Sequence, residues 1–162
     1  VVQGFGVTGI YQIEDVKIQY TGTGKAQALL YAYGGSTIYF GNIAFGAGSA
    51  WHVGAQFHGY CEALANYSIT GGADSHMAAF TSGVVNVVNK TVTITGTPAF
   101  ATAFARAEFT STIYAYSNTY SGSATGKRYQ VSAGGGIRVI GAGTTYFPGN
   151  VAGTETAPGW YL

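Results

Sequence analysis

Three residues stand out for their chemistry: Trp51, His52 and His76. A flat indole can lie against the apolar face of a pyranose ring while a neighbouring imidazole hydrogen-bonds a sugar hydroxyl. Counted from the glycine that precedes each stretch, Trp51 and His76 share one column a single repeat apart, which predicts that they stack. Two readings follow, a stacking ladder at the edge of a coil or a sugar platform. The three histidines (His52, His58, His76) and the lone Cys61 have no metal-ligand spacing, so no metal site and no cofactor are expected.

Cleaving a glycosidic bond needs two carboxylates about 5–9.5 Å apart. The candidates are Glu14, Asp15, Glu62, Asp74, Glu108 and Glu155. Glu62 and Asp74 fall at different offsets in the repeat and are expected on different faces, and Glu108 is expected in line with His58 two repeats away. No catalytic couple emerges, so no catalytic residue is assigned; the reading leans to a binder, with a catalytic site between chains left open. The run Gly122-Ser-Ala-Thr-Gly126-Lys127-Arg128 imitates a phosphate loop but is one residue short and has Arg128 where a hydroxyl is required. Gly134-Gly135-Gly136 has no helix after it and is a turn rather than a dinucleotide site.

The elements that must hold these residues repeat. Short β-like runs end on Gly22, Gly46, Gly71, Gly96, Gly122 and Gly149, in steps of 24, 25, 25, 26 and 27 residues. Each anchor is followed by an alternating stretch (Lys25 to Tyr31, Ser49 to Phe57, Ser75 to Phe80, Ala101 to Phe109, Lys127 to Val131). A small-residue corner and another run come next (Thr37 to Phe40, Cys61 to Ala65, Val84 to Val88, Thr112 to Tyr116, Ile137 to Ile140). Aligned on the anchors, Leu29, Val53, Ala78, Ala103 and Tyr129 form one interior column, and Tyr31, Ala55, Phe80, Ala105 and Val131 another. The column between them, Leu30, Gly54, Ala79, Phe104 and Gln130, is mixed, as a face partly covered by another chain would be.

The pattern predicts an all-β parallel β-helix of about 25-residue, three-strand rungs over residues 1–149, with 150–162 as a C-terminal cap. Tyr11, Ile13 and Asp15 read as a strand closing an earlier rung, and more chain is expected upstream. A β-sandwich is the competing architecture. Composition fits a packed assembly: 8% of residues are charged, 15% are aromatic and 26 are glycine. A formal net charge of +1 offers no basic track for nucleic acid. No apolar run reaches the roughly 18 residues of a membrane-spanning helix. Low charge with 13 tyrosines suits chains packed side by side, and a homotrimer is expected.

The C-terminal stretch Thr144-Thr-Tyr-Phe-Pro-Gly-Asn-Val-Ala-Gly-Thr-Glu-Thr-Ala-Pro-Gly-Trp-Tyr-Leu162 resembles the ending of bacteriophage tail-fibre and tailspike proteins. Thr91-Val-Thr-Ile-Thr-Gly-Thr-Pro-Ala-Phe-Ala-Thr-Ala-Phe-Ala105 and Tyr120-Ser-Gly-Ser-Ala-Thr-Gly-Lys-Arg-Tyr129 are similar in wording to the same family. The likeness spans roughly residues 66–162, and Pro158-Gly159-Trp160 departs from the family's usual Gly-Gly before its last aromatic. It implies a trimeric virion component outside the cell, in company with other tail proteins, whose β-helical part touches a surface glycan or protein of the host. It assigns no catalytic residues. A depolymerase with its active site upstream or between subunits, and a secreted bacterial adhesin, are the other functions weighed.

Overall fold

The chain winds into a sequence of short strands that repeats about six times, with no helix among the described residues. This computed structural model describes residues 2–4, 8–23 and 28–162. The first rung holds β1 (Val2–Gly4), β2 (Ile10–Glu14) and β3 (Lys17–Ile18). The second holds β4 (Ala28–Tyr33), β5 (Thr37–Gly41) and β6 (Ala44–Phe45), and the third β7 (Trp51–Gln56), β8 (Tyr60–Ala63) and β9 (Tyr67–Ile69). In the fourth are β10 (Ala73–Phe80), β11 (Val84–Asn86) and β12 (Thr91–Ile94); in the fifth, β13 (Ala99–Glu108), β14 (Thr112–Tyr114) and β15 (Thr119–Ser121). The last windings contribute β16 (Thr125–Gly126), β17 (Tyr129–Val131), β18 (Gly136–Arg138), β19 (Thr154–Glu155) and β20 (Trp160–Tyr161).

Every named strand pairs in parallel with its counterpart one rung away, building three sheets. Sheet A runs β1-β4-β7-β10-β13-β17-β19, sheet B runs β2-β5-β8-β11-β14-β18-β20, and sheet C runs β3-β6-β9-β12-β15. The β-helix is therefore observed and the sandwich is not. Residues 150–162, expected as a cap, add strands to sheets A and B and none to sheet C. The run Thr145 to Gly149, expected as a strand, is a turn, although Phe147 within it is 1% exposed and packs on Phe104 and Tyr120. The stretch expected from Lys25 begins outside the described residues.

Two of the interior columns need correction. The observed register stacks Leu30, Val53, Met77, Ala105 and Tyr129 in one column, and Ala32, Ala55, Ala79, Ala107 and Val131 in the next. Between them, facing out, lie Tyr31, Gly54, Ala78, Arg106 and Gln130. Turn lengths differ from rung to rung, so offsets counted from the glycine anchors drift by one or two residues. That drift, rather than an inter-chain contact, explains the mixed column: Leu30, Ala79 and Phe104 are interior. In sheet A, β4 and β13 each place two successive residues inside, Leu29-Leu30 and Phe104-Ala105.

The interior is narrow and filled by rings. Phe40, Phe45, Phe100, Phe104 and Phe147 are all 2% exposed or less. They meet edge to face, as aromatic quadrupoles prefer, at centroid separations of 5.7 Å for Phe40–Phe45 and 5.2 Å for Phe100–Phe104.

Candidate functional site

The two histidines singled out by the sequence are inside the solenoid. His52 and His76 are 0% exposed, and the register sets them directly above one another, with Ser75 over Trp51. The expected stack of Trp51 on His76 is thus replaced by a His52–His76 pair, again because the anchor count is off by one residue. Their Nδ1 atoms lie 3.2 Å apart, and His76 Nε2 is 2.8 Å from the Tyr67 hydroxyl. His52 stacks on Phe45 with an interplanar angle of 8°. His52 Nε2 makes no hydrogen bond, although the carbonyls of Gly72 and Gly46 act to favour its protonated form. Burial dominates and lowers the His52 pKa to about 4. Burial, and then the like charge His52 would carry, lower that of His76 well below 6.5. Both rings are neutral core members and neither can meet a sugar.

Trp51 does face outward. Its ring lies over Gly54, where an added Cβ would come within 2.6 Å of the indole, so the missing side chain is what lets the indole lie flat on sheet A. Tyr31 in the rung below meets it edge-on at 5.8 Å, and Phe80 in the rung above is tilted against it at 4.9 Å. The Tyr31 hydroxyl donates to Gln56 Oε1. Burial, then the neighbouring Tyr33, pushes that phenol up to about 12, so it remains a donor at any physiological pH.

Beside these rings sits a fixed ion pair. Arg106 Nε and Nη2 each donate to one oxygen of Glu108 at 3.0 Å, and Arg106 also lies 5.0 Å above the centre of the Phe80 ring. Gln130 Nε2 donates to Glu108 Oε1 at 3.0 Å, and Lys127 Nζ in turn donates to Gln130 Oε1 at 3.2 Å. Burial raises the Glu108 carboxyl, but hydrogen bonds from Arg106 and Gln130 and the Arg106 charge outweigh it and hold the group below 4.5. Glu108 aligns with Phe80, and through it with Gln56; the expected alignment with His58 does not occur, since His58 lies in the corner. Glu62 and Asp74 lie on sheets B and A, on different faces as expected.

Trp51, Gln56, Phe80, Arg106, Glu108 and Phe109 together line a groove of about 400 Å³ on the outside of sheet A. It is lined by the exposed parts of the Trp51 and Phe109 rings and by a preset donor–acceptor pair, Arg106 and Glu108. Phe109 is 54% exposed and adopts φ 56°, the left-handed region that costs a bulky residue roughly 1–2 kcal/mol. Phe57, the corresponding corner residue two rungs below, is likewise exposed at φ 50° and packs on Tyr33. Strained, exposed rings at the lip of a groove are kept by what they contact. Phe109→Gly is expected to raise stability by up to about 1 kcal/mol, from relief of strain less the extra freedom of glycine in the unfolded chain. It should weaken ligand binding at the same time. Paired melting and binding measurements on the variant check this, and a loss of stability would refute the strain.

Sequence reasoning found Trp51 but missed Phe80, Arg106, Glu108 and Gln56 as its partners. Anchor counting had put Phe80 in an interior column, and only the observed register, which aligns Phe80 with Gln56 and Glu108, brings it out beside the indole. Among the described residues no group of three or more potential metal ligands occurs. No protein-family model matches the chain, and no curated protein or solved structure gives a match to it.

Proposed function

We propose that this solenoid is the receptor-binding part of a bacteriophage tail fibre or spike, working as a homotrimer outside the cell, and that the Trp51–Phe80 groove holds a sugar ring of a host surface glycan. The groove carries the reading. A pyranose laid on Trp51, whose indole is backed by the buried Phe80 ring, buries its C–H face, while its hydroxyls reach Gln56 and Glu108 as acceptors and Arg106 as donor. Arg106 and Glu108 are already locked to one another and to Gln130, so little side-chain freedom is lost on binding. The lining contains one carboxylate, Glu108, whereas the usual hydrolytic route takes a pair, which favours recognition over cleavage.

The rod-like winding and the tail-fibre wording of residues 66–162 support the virion setting. Three such rods side by side would bring several grooves to one host surface and multiply a weak single-site affinity.

Trp51→Ala is expected to weaken glycan binding at least tenfold, with the melting temperature nearly unchanged because the indole lies outside the core. A glycan array followed by calorimetry on the best ligand measures it. Absence of binding to any host envelope fraction, or unchanged affinity in the variant, would overturn the groove reading. Release of reducing ends from host capsule or lipopolysaccharide would replace it with the depolymerase.

A further inference from the structure

A second cluster lies around the corner on sheet B. Its outward column runs Tyr39, Glu62, Asn86, Tyr114 and Arg138, one residue per rung. Glu62 is half-buried and both of its oxygens are held: Tyr60 Oη donates to Oε2 at 2.9 Å and Asn86 Nδ2 to Oε1 at 3.1 Å. Asn86 Nδ2 also reaches the Tyr60 hydroxyl at 3.0 Å, which fixes both donors. Burial leads the causes that push the Tyr60 phenol up to about 12, so it stays protonated and keeps donating.

Among the described residues this carboxylate pairs with no cation. Among the described residues the one ion pair is Arg106 with Glu108, on sheet A. Arg138 shares the column with Glu62 but stands three rungs away, about 14 Å at the spacing of parallel strands. The walls beside Glu62 are tyrosines: Tyr39 is in register with it one rung below, and the Tyr39 and Tyr60 rings stand nearly perpendicular, 6.5 Å apart. An ordered, uncompensated carboxylate between half-exposed aromatic rings suits one ligand chemistry. Ring faces attract a cation, and a carboxylate prefers one that brings N–H donors.

From this we infer a second ligand site on the outer face of sheet B that takes a primary ammonium group, with Glu62 as its counter-ion and Tyr39 and Tyr60 as its walls. An amino sugar with a free amine and an ethanolamine headgroup both carry that group. The inference stands apart from the sheet-A groove and does not rest on it.

The test titrates glucosamine, N-acetylglucosamine and ethanolamine into the intact chain by ligand-observed NMR. Saturable binding of the two amines at about 10 mM or below, with N-acetylglucosamine at least tenfold weaker, supports the site. Tighter binding of glucosamine than of ethanolamine identifies a sugar as the source, and the reverse order a headgroup. Glu62→Gln should reduce amine binding at least tenfold with its far-UV dichroism unchanged; Tyr39→Leu, which leaves the carboxylate, should weaken it by a smaller factor. Trp51→Ala should leave amine binding intact, which keeps a failure of the groove distinguishable from a failure here. Equal binding of the acetylated sugar, wild-type binding by Glu62→Gln, loss of binding in Trp51→Ala, or no saturable amine binding would each overturn the inference.

Discussion

The melting temperature should fall steadily as the pH is lowered from about 6.5 to about 4, with most of the fall above the range in which carboxylates take up protons. Two buried imidazoles cause this. In the unfolded chain a histidine binds a proton near pH 6.5, whereas His52 in the solenoid does so only near 4. Between those values the unfolded state holds more protons, so stability is whole above pH 6.5 and is lost as pH falls through this window. For His52 alone the gap corresponds to about 3 kcal/mol, or a drop of roughly 6–12 °C in melting temperature. His76 acts in the same direction, and the two cannot both charge at an Nδ1–Nδ1 distance of 3.2 Å. Glu108 works in a separate range: its carboxyl is held below 4.5, so its contribution is lost only as the pH falls through that lower value. Thermal melts from pH 7.5 to 4 on wild type and on a His52→Phe, His76→Phe double variant measure the effect. The double variant should start less stable, because Tyr67 loses its partner, and should show a nearly flat profile. A wild-type profile that is itself flat across the window would refute the account.

Gly83→Ala should cost about 3 kcal/mol or more, because the added methyl group meets backbone of the neighbouring rung. The A–B corner carries a vertical column of Ser36, Gly59, Gly83, Ser111 and Gly135, fixed by the sheet-B register one residue later. A Cβ at Gly59 would stand 2.1 Å from the Ala32 carbonyl oxygen, at Gly83 2.2 Å from that of Ala55, and at Gly135 2.3 Å from that of Ala107. The obstructing atoms are backbone of the rung below, so no side-chain rotation relieves the overlap. The rungs must part, weakening the ladder at bonds such as Val84 N–H to the Gly59 carbonyl, 2.9 Å. Ser36 and Ser111 are the two side chains in this column, and the Ser111 hydroxyl donates to the Ala79 carbonyl at 2.7 Å, turning the close approach into a buried hydrogen bond. The expected stability order at position 83 is therefore Gly, then Ser, then Ala, read by chemical denaturation. An alanine variant as stable as wild type would show that the rungs are not held at this spacing.

The glycine anchors made the architecture legible. Five near-equal steps, with no helical periodicity between them, leave a chain little choice but to return on itself, and three runs per step determine three sheets. That much follows from local chemistry: Gly, Ser and Asn supply corners with positive φ, and the alternating stretches supply strands. Trp51 was also visible, as a flat indole suited to the apolar face of a sugar ring.

The rest required contacts between rungs. Whether Ala78 or Met77 covers Val53 depends on turns whose lengths vary by one to four residues, and a slip of one residue sends a strand's side chains to the opposite face. By that slip His52 and His76 moved from a surface platform to the interior, and Phe80, Arg106 and Glu108 came to border the indole. The sequence by itself determined a stacked parallel coil with aromatic filling, because periodicity is a local property that each repeat restates. Only the tertiary structure decided which residues meet across rungs, because register is set by backbone pairing between segments 23 to 28 residues apart, where no local preference reaches.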